Sequence, residues 1–309
     1  MNNDLITIIM PCFNTARTIS DSIHSVLSQS YQNIELITVD DGSSDNTVSI
    51  LNQLSHNDSR IHVITQVNKG AGPARNAGIK NARGKFIAFL DSDDTWEPDC
   101  LQKLHAALVD APDACLAYCG WQNLGVSENR GKPFVPPDYQ TENKLQTLLE
   151  GCRWPIHAAL VRKEHIDNAH GFDETLTSCM DFDLWLRVAA FNRIILVPEV
   201  LAYYHHHAGE QITKNKVRIA RNHWTVQQKF IKAHPEIKTL IPSERLLMIT
   251  HGELKKRAYE CYWSRDLEPA REIFRMVFKT GYWSVNELKY ILPCFLPLGL
   301  HKKLIGVTG

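Results

Sequence analysis

Short apolar runs and longer amphipathic segments alternate along the first 210 residues. Runs of branched and aromatic residues predict buried strands, and the first four runs are each followed by a segment with helical spacing of its apolar positions. Because strand and helix alternate through short connections, the pattern predicts an α/β fold with a mostly parallel sheet and right-handed crossovers. The predicted strands span residues 5–10, 34–39, 60–66, 85–90, 114–121, 156–161, 194–197 and 201–207.

The pattern changes after about residue 213. Helical spacing dominates the remainder and predicts long helices over 217–234, 244–264 and 268–279, with no strand-like run. A chain of 309 residues can hold one large domain, or a medium domain with an appendage. We therefore expect an α/β domain over 1–213 and a C-terminal helical region over 214–309.

The apolar segment 290–300 is interrupted by two prolines and flanked by basic residues. Two interpretations stay open: the segment packs on the helical region, or it contacts a membrane surface with its basic residues at the headgroups. No apolar run reaches the roughly 20 residues that span a bilayer. The N-terminus lacks the basic region of a signal peptide, so we expect a cytoplasmic protein, with the inner face of the membrane as a further location.

Charge and cysteine content exclude several classes of function. Lys+Arg and Asp+Glu both number 34, which argues against the basic face that nucleic-acid binding requires. The eight cysteines lack paired CxxC spacing, so they predict reduced thiols and no zinc site.

Carboxylates follow the predicted strand 85–90 directly. Asp91, Asp93 and Asp94 lie within four positions, and side chains of like charge that close together need a cation or free solvation. The carboxyl ends of parallel strands face the crevice where open α/β sheets bind ligands. Oxygen ligands at that place suit Mg²⁺ or Mn²⁺, especially when a phosphate shares the metal. The alternative is a turn rich in Asp and Ser that caps the next helix.

The strand 34–39 also ends in acidic residues. Asp40 and Asp41 begin the motif Asp-Asp-Gly-Ser-Ser-Asp, in which Asp45 is predicted to cap the following helix. Both acidic strand ends should therefore lie along one edge of the sheet, where a nucleotide-like ligand would bind.

Four separated motifs occur together in this part of the chain. They are Pro11-Cys12-Phe13-Asn14, the 40–45 motif, Asn68-Lys69-Gly70 with Ala74-Arg75-Asn76-Ala77-Gly78, and Leu90-Asp91-Ser92-Asp93-Asp94. In order and spacing, the chain resembles the family 2 inverting glycosyltransferases, which have the GT-A nucleotide-sugar fold. The resemblance covers about the first 210 residues. It implies a nucleoside-diphosphate sugar as donor, most often a UDP-sugar, and a hexosyl transfer to a saccharide or lipid-linked acceptor in cell-envelope polysaccharide synthesis.

The resemblance also implies residue roles. The metal, Mn²⁺ or Mg²⁺, would be bound by Asp93 and would bridge the donor diphosphate. Asp41 matches the carboxylate that accepts a hydrogen bond from the base, and Asp91 lies nearer the ribose or sugar. Lys69 and Arg75 would help to offset the charge of the diphosphate, or they are solvated charges at a helix end. The implied donor-binding set is Pro11, Phe13, Asn14, Asp41, Lys69, Gly70, Arg75, Asp91 and Ser92.

A fifth motif, residues 180–187, departs from the family pattern at one position. Asp181 matches the catalytic base of the family, whereas Met180 replaces an acidic neighbour. A carboxylate in the first turn of a helix is kept ionised by the helix dipole, as a base requires. Asp183 lies at a different angle around the helix, so we do not expect the two to act as a pair. Helix capping by either aspartate is the alternative.

Three consecutive histidines end the last predicted strand. His205 and His207 face one way in an extended chain, and His206 faces the other. His207 matches a histidine that the family places near the metal or the diphosphate. The alternative is that these are ordinary surface histidines.

Other classes of protein share parts of these signals. A haloacid-dehalogenase phosphatase also carries an apolar strand before Asp91-Ser92-Asp93, but its acidic motifs come in a different order. A dinucleotide dehydrogenase would need G-x-G-x-x-G after the first strand. A processive membrane synthase would need spanning helices, which the sequence lacks. A nucleotide-sugar-binding module without turnover remains the non-enzyme alternative, and Met180 is the feature in its favour.

Overall fold

The computed structural model describes residues 4–125, 131–206 and 215–304. The chain forms two compact units, of which the first comprises Met1–Leu148, Cys152–Leu176 and Met180–Gly209. This unit contains an eight-stranded sheet in the order β3-β2-β1-β4-β7-β6-β8-β5. Its strands are β1 Ile6–Cys12, β2 Ile34–Asp40, β3 Ile61–Thr65, β4 Phe86–Phe89, β5 Thr95–Trp96, β6 Ala114–Leu124, β7 Ala159–Arg162 and β8 Arg193–His205.

The sheet is mostly parallel, as the alternating pattern predicts. Strands β3, β2, β1 and β4 are parallel neighbours, and β6 is parallel to β8. Strand β7 is antiparallel to both β4 and β6, and the short β5 is antiparallel to β8. The carboxyl ends of β1, β2 and β4 therefore lie at one edge of the sheet, and each of these strands precedes a predicted site motif.

Seven helices in the described residues connect or flank these strands: α1 Ile19–Leu27, α2 Thr47–Asn57, α3 Ala71–Asn81, α4 Cys100–Asp110, α5 Lys144–Glu150, α6 Lys163–Asn168 and α7 Met180–Ala189. Helix α3 lies close to the sheet because its contact residues are small. A Cβ on Gly78 would lie 2.4 Å from a methyl carbon of Ile9, so a larger residue would push the helix away. The close packing predicted from the small residues of this segment is confirmed.

The prediction of two separate strands over 194–197 and 201–207 is wrong in one respect, because β8 is continuous through Pro198 and Glu199. Cys119 of β6 pairs with Val197, and the next residue of β6 pairs with Val200. The two intervening residues form a bulge, which is where a strand tolerates proline because no ladder hydrogen bond is lost. A second difference is that Ile156–Ala158 forms a 3₁₀ turn, so the strand there begins only at β7.

The second unit comprises Leu149–Gly151, Thr177–Cys179 and Glu210–Gly309. Its helices are α8 Lys216–Ala233, α9 Ile237–Leu240, α10 Ser243–Leu247, α11 Glu253–Trp263, α12 Leu267–Thr280, α13 Leu288–Ile291 and α14 Leu298–Leu304. A π-helical turn over Met248–Gly252 interrupts the long helix predicted for 244–264. The proposed boundary at 213/214 stays a prediction, since residues 207–214 lie outside the described part.

The C-terminal segment packs one face onto the helical unit. Ile291, Cys294 and His301 are buried there. Leu292, Phe295 and several other apolar side chains of the same segment are about half exposed. Among the described residues, none of the helices combines the length and the apolar character needed to cross a membrane.

Candidate active site

Asn14 ties the turn after β1 to the turn after β2. Its backbone N–H donates to Oγ of Ser43 at 2.9 Å, and the N–H of Ser44 donates to Oδ1 of Asn14 at 2.8 Å. Asn14 has a φ of 53°, a left-handed conformation that asparagine tolerates better than most residues. Phe13 adjoins Asn14 and is half exposed, and Pro11 is partly buried. The three residues predicted to contact the nucleoside therefore lie together at the carboxyl end of β1.

Asp45 lies one residue away from its predicted position as a helix cap. The cap position of α2 is Asn46, whose side chain makes no capping hydrogen bond. Instead, Oδ1 of Asp45 accepts hydrogen bonds from the backbone N–H of Thr47 at 3.0 Å and from its hydroxyl at 2.5 Å. The carboxylate therefore satisfies a donor of the first helical turn from outside the helix.

Asp41 anchors the loop that leads into α3. Its carboxylate accepts hydrogen bonds from the N–H of Lys69 at 2.9 Å, from the N–H of Gly70 at 2.7 Å and from the side-chain amide of Gln66 at 2.7 Å. The side chain of Lys69 is exposed, so its backbone makes the contact at this site. The structure thus brings Asp41, Lys69 and Gly70 together, and a role of Asp41 toward a base stays a prediction.

Arg75 joins the strand end after β4 to the first turn of α7. Its Nη2 donates to Oδ1 of Asp91 at 2.6 Å, and its Nη1 lies 3.6 Å from Oδ1 of Asp181. The arginine side chain is 5% exposed, whereas the two carboxylates are about one third exposed. The guanidinium also lies over the ring of Phe172, 5.4 Å from its centre. Two predicted site carboxylates therefore share one buried cation and are themselves partly exposed to solvent.

Burial and like charges raise the pKa of two carboxyl groups here. Burial raises the pKa of Asp93 to about 7, and the charges of Asp94 and Asp91 act in the same direction. Burial also raises the pKa of Asp181, which Arg75 opposes and Asp91 reinforces. The helix-dipole expectation for Asp181 is thus outweighed by burial. A carboxylate with a raised pKa accepts a proton more readily, which suits a general base.

The residues on either side of Asp181 in α7 make structural contacts. Asp183 is buried and forms an ion pair with Arg187, which also donates to the backbone carbonyl of Gly171 at 2.8 Å. Met180 is 8% exposed, and its sulfur would lie 3.1 Å from a Cβ placed on Gly72. Met180 therefore packs on α3, in place of the acidic side chain common in the family.

Two further residues border the acidic cluster and were missed from the sequence. His157 lies with Nδ1 3.0 Å from Oδ2 of Asp94, and both side chains are buried. Tyr204 stacks on the His157 ring, and burial together with the nearby carboxylates raises its pKa to about 12, so its phenol stays a donor. Neither residue belongs to a motif, so the sequence contained no signal for them.

The three consecutive histidines have different surroundings. Nε2 of His205 lies 3.0 Å from the hydroxyl of Thr95, and Nε2 of His206 lies 3.1 Å from the side-chain oxygen of Asn123. His207, which was predicted to bind the metal or the diphosphate, lies outside the described residues. Its role stays a prediction.

The acidic residues fit a divalent metal that is shared with a phosphate ligand. No group of three His, Cys, Asp or Glu side chains in the described ranges is arranged to hold a metal alone. Mg²⁺ and similar ions commonly use one or two carboxylates and complete their shell with substrate phosphates and water. Burial is the main cause of the raised pKa of Asp93, the charges of Asp94 and Asp91 add to it, and a nearby cation would oppose both effects. Asp93, supported by Asp91, is therefore a suitable donor set.

Comparison with known proteins assigns the family. Residues 7–168 match the family described as glycosyl transferase family 2. This match covers about half of the chain and contains the four motifs at the strand ends. The chain belongs to glycosyl transferase family 2, and its mixed α/β unit has the GT-A fold.

Two relatives match over most of their length. The chain is 33% identical over 234 residues to the Escherichia coli UDP-Glc:alpha-D-GlcNAc-diphosphoundecaprenol beta-1,3-glucosyltransferase WfgD, covering 75% of this chain and 88% of WfgD. It is 30% identical over 234 residues to the putative teichuronic acid biosynthesis glycosyltransferase TuaG of Bacillus subtilis, covering 74% of this chain and 90% of TuaG.

Two solved structures share the fold at low sequence identity. Residues 1–349 of S. aureus TarS, in complex with UDP-GlcNAc, give a TM-score of 0.59 at 18% identity, with 90% of this chain and 92% of that chain covered. The mannosyltransferase PcManGT of Pyrobaculum calidifontis, in complex with GDP-Man and Mn²⁺, gives 0.54 at 16% identity, with 94% and 85% covered.

Proposed function

We propose that this glycosyltransferase inverts the anomeric centre and depends on a divalent metal. It transfers a hexosyl group from a nucleoside-diphosphate sugar, with a UDP-sugar favoured, to a hydroxyl of a saccharide or lipid-linked acceptor. One observation carries the proposal: Arg75 contacts both Asp91 and Asp181, so the candidate base lies beside the carboxylates of the donor site. The UDP-containing names of WfgD and of the TarS complex support the donor, and the diphosphoundecaprenol in the WfgD name supports the acceptor.

In the proposed mechanism Asp181 acts as the general base. Its carboxylate takes the proton of the acceptor hydroxyl while the oxygen attacks the anomeric carbon of the donor sugar. The bond from that carbon to the nucleoside diphosphate breaks, and its electron pair leaves with the phosphate oxygen. One displacement inverts the configuration and needs no covalent intermediate. The raised pKa of Asp181 supports this role.

The remaining residues bind and orient the donor. Pro11, Phe13 and Asn14 would contact the nucleoside, and Arg75 would hold Asp91 and Asp181 in place. Asp93 would hold a divalent metal, Mn²⁺ or Mg²⁺, which stabilises negative charge on a departing diphosphate. The Mn²⁺ in the PcManGT complex supports a metal of this kind.

Donor binding tests this proposal before any acceptor is known. A ligand that binds only the folded state raises the melting temperature by mass action. We expect UDP or a UDP-sugar with MnCl₂ to raise the Tm, and each component alone to raise it less. Absence of any shift with all common nucleoside diphosphates would refute the proposed function. Donor binding without hydrolysis or transfer would favour a binding module without turnover.

We also propose that the C-terminal segment contacts the inner face of a membrane, where a lipid-linked acceptor would be found. Leu292, Phe295 and Leu300 are each at least half exposed, and Lys302 and Lys303 adjoin them. Exposed apolar side chains beside basic ones suit an anionic lipid surface. Cosedimentation with phosphatidylglycerol vesicles should fall for Leu292→Gln/Phe295→Gln and not for Leu240→Gln, a control on α9. Equal loss in both variants, or no binding by the unaltered protein, would contradict the contact.

A further inference from the structure

Asp94 differs from the other two carboxylates of its motif. Its side chain is fully buried, whereas that of Asp91 is 30% exposed. Oδ2 of Asp94 lies 3.0 Å from Nδ1 of His157, which is 1% exposed. The two side chains form a buried pair that is an ion pair when His157 is protonated. Asp94 is thus paired with His157 and shielded from solvent.

The His157–Asp94 pair connects three separate parts of the first unit. Oδ1 of Asp94 accepts a hydrogen bond from the backbone N–H of His205, at the end of β8, at 2.9 Å. The indole N–H of Trp96 donates to the backbone oxygen of His157 at 2.6 Å. Tyr204 stacks on the imidazole with ring centres 5.9 Å apart. The pair therefore joins the Asp91–Asp94 segment to the 3₁₀ turn before β7 and to the end of β8.

The carboxylates around His157 favour the protonated form of its imidazole. Burial lowers the pKa of His157, but the charges of Asp94, Asp91 and Asp181 outweigh burial and raise it. A buried ion pair is a weak source of stability, because desolvation of two charges offsets their attraction. Nε2 of His157 is buried and has no hydrogen-bond partner in the described residues, which is unfavourable. These costs indicate a local role beyond stability.

We propose that His157 is a positioning residue for the metal-binding carboxylate Asp93. By pairing with Asp94, it withdraws the third carboxylate of the motif and fixes the segment so that Asp93 and Asp91 stay accessible to a bound donor. The inference rests on the proposed function, because it concerns the same donor site. It assigns His157 no contact with the substrate.

The test compares His157→Gln with a matched buried histidine. His105 is also buried, with Nε2 3.6 Å from Oδ2 of Asp4, near the start of β1 at the opposite edge of the sheet. MnCl₂ is titrated at fixed UDP while the Tm is followed, and donor KM and kcat are measured separately. We expect His157→Gln to raise the MnCl₂ midpoint about tenfold, the loss typical for an outer-shell partner of a metal ligand. Donor KM should rise more than kcat falls, and His105→Gln should only lower the Tm.

A second variant keeps the test decisive if His157→Gln is too unstable. The double variant His157→Gln/Asp94→Asn leaves no unpaired buried charge, so its Tm should recover while the MnCl₂ midpoint stays raised. A midpoint at the unaltered protein's value in either variant would overturn the positioning role. Failure of the unaltered protein to bind UDP and MnCl₂ would instead refute the proposed function itself, so the two failures are distinguishable.

Discussion

Nη1 of Arg75 lies 3.6 Å from Oδ1 of Asp181, although the two residues are 106 positions apart in the chain. The same guanidinium bonds Asp91 at 2.6 Å. A helix after β3, the strand end after β4 and the first turn of α7 therefore meet at one buried cation. This arrangement places the candidate base beside a carboxylate that we propose for the donor site.

The first prediction separates catalysis from stability within α7. Asp181→Asn removes the proposed base, so the transfer rate should fall by about 10²–10⁴-fold. Because burial raises the pKa of Asp181, a neutral amide there should leave the Tm unchanged or higher. The rate is measured with excess acceptor, and UDP affinity should stay within the wild-type range.

Asp183→Asn is the matched control on the same helix. It removes the carboxylate partner of Arg187, so the free energy of unfolding should fall by about 1–3 kcal/mol. The transfer rate per folded molecule should change little. The opposite result, in which Asp183→Asn abolishes transfer and Asp181→Asn does not, would exchange the roles of the two aspartates.

The second prediction concerns pH. A base acts in its deprotonated form, so the rate falls as the pH drops through its pKa. Because burial raises the pKa of Asp181, the acid limb of kcat should lie above 3.8, the ordinary value for aspartate. The profile is measured at saturating donor and MnCl₂, with donor affinity followed over the same range. A flat rate down to the ordinary value would contradict the role of Asp181.

The third prediction concerns the residue that departs from the family pattern. Met180 packs on Gly72 of α3 and is almost fully buried. Met180→Leu should therefore lower the free energy of unfolding by less than about 1.5 kcal/mol and keep transfer activity. Met180→Glu would bury a charge beside Asp181, so it should lower the Tm clearly and not increase the rate. A stable and faster Met180→Glu variant would show that this position faces the acceptor.

The fourth prediction concerns the turn after β2. Gly42 has a φ of +76°, and a Cβ there would lie 2.9 Å from the backbone N of Asn68. Gly42→Ala should therefore displace the loop that Asp41 anchors, with a cost of about 1–3 kcal/mol and weaker UDP binding. Gly281 has a φ of +72° with no atom within 4 Å of its Cβ position, so Gly281→Ala is the control. Equal UDP affinity in both variants would refute the importance of this turn.

The sequence predicted the parts of the site that lie at strand ends. Asp41 and Asp91 follow short apolar runs that favour buried strands, and parallel pairing brings the ends of those strands to one edge. Asp181 is predicted only through the resemblance of its motif to that of the family, and its role as the base stays a prediction. Local pattern and motif together were sufficient for the fold class, and they predict that these carboxylates lie near one another.

The remaining site residues depend on long-range packing. His157 precedes a short apolar strand and has no periodic or motif context, so only the tertiary fold brings it to Asp94. The bulge at Pro198 also depends on the tertiary fold. A proline normally ends a predicted strand, and only the pairing with β6 shows that β8 continues past two unpaired residues. The packing of Met180 could not be predicted for the same reason, because its contact Gly72 is distant in the chain.

The anomeric configuration of the product is the most direct test of the proposed single displacement. NMR of the reaction with an α-linked UDP-sugar, MnCl₂ and a saccharide or lipid-linked acceptor should show a β-linked product from the first turnover. An α-linked product would contradict the account, because retention requires a second displacement or a different face of attack.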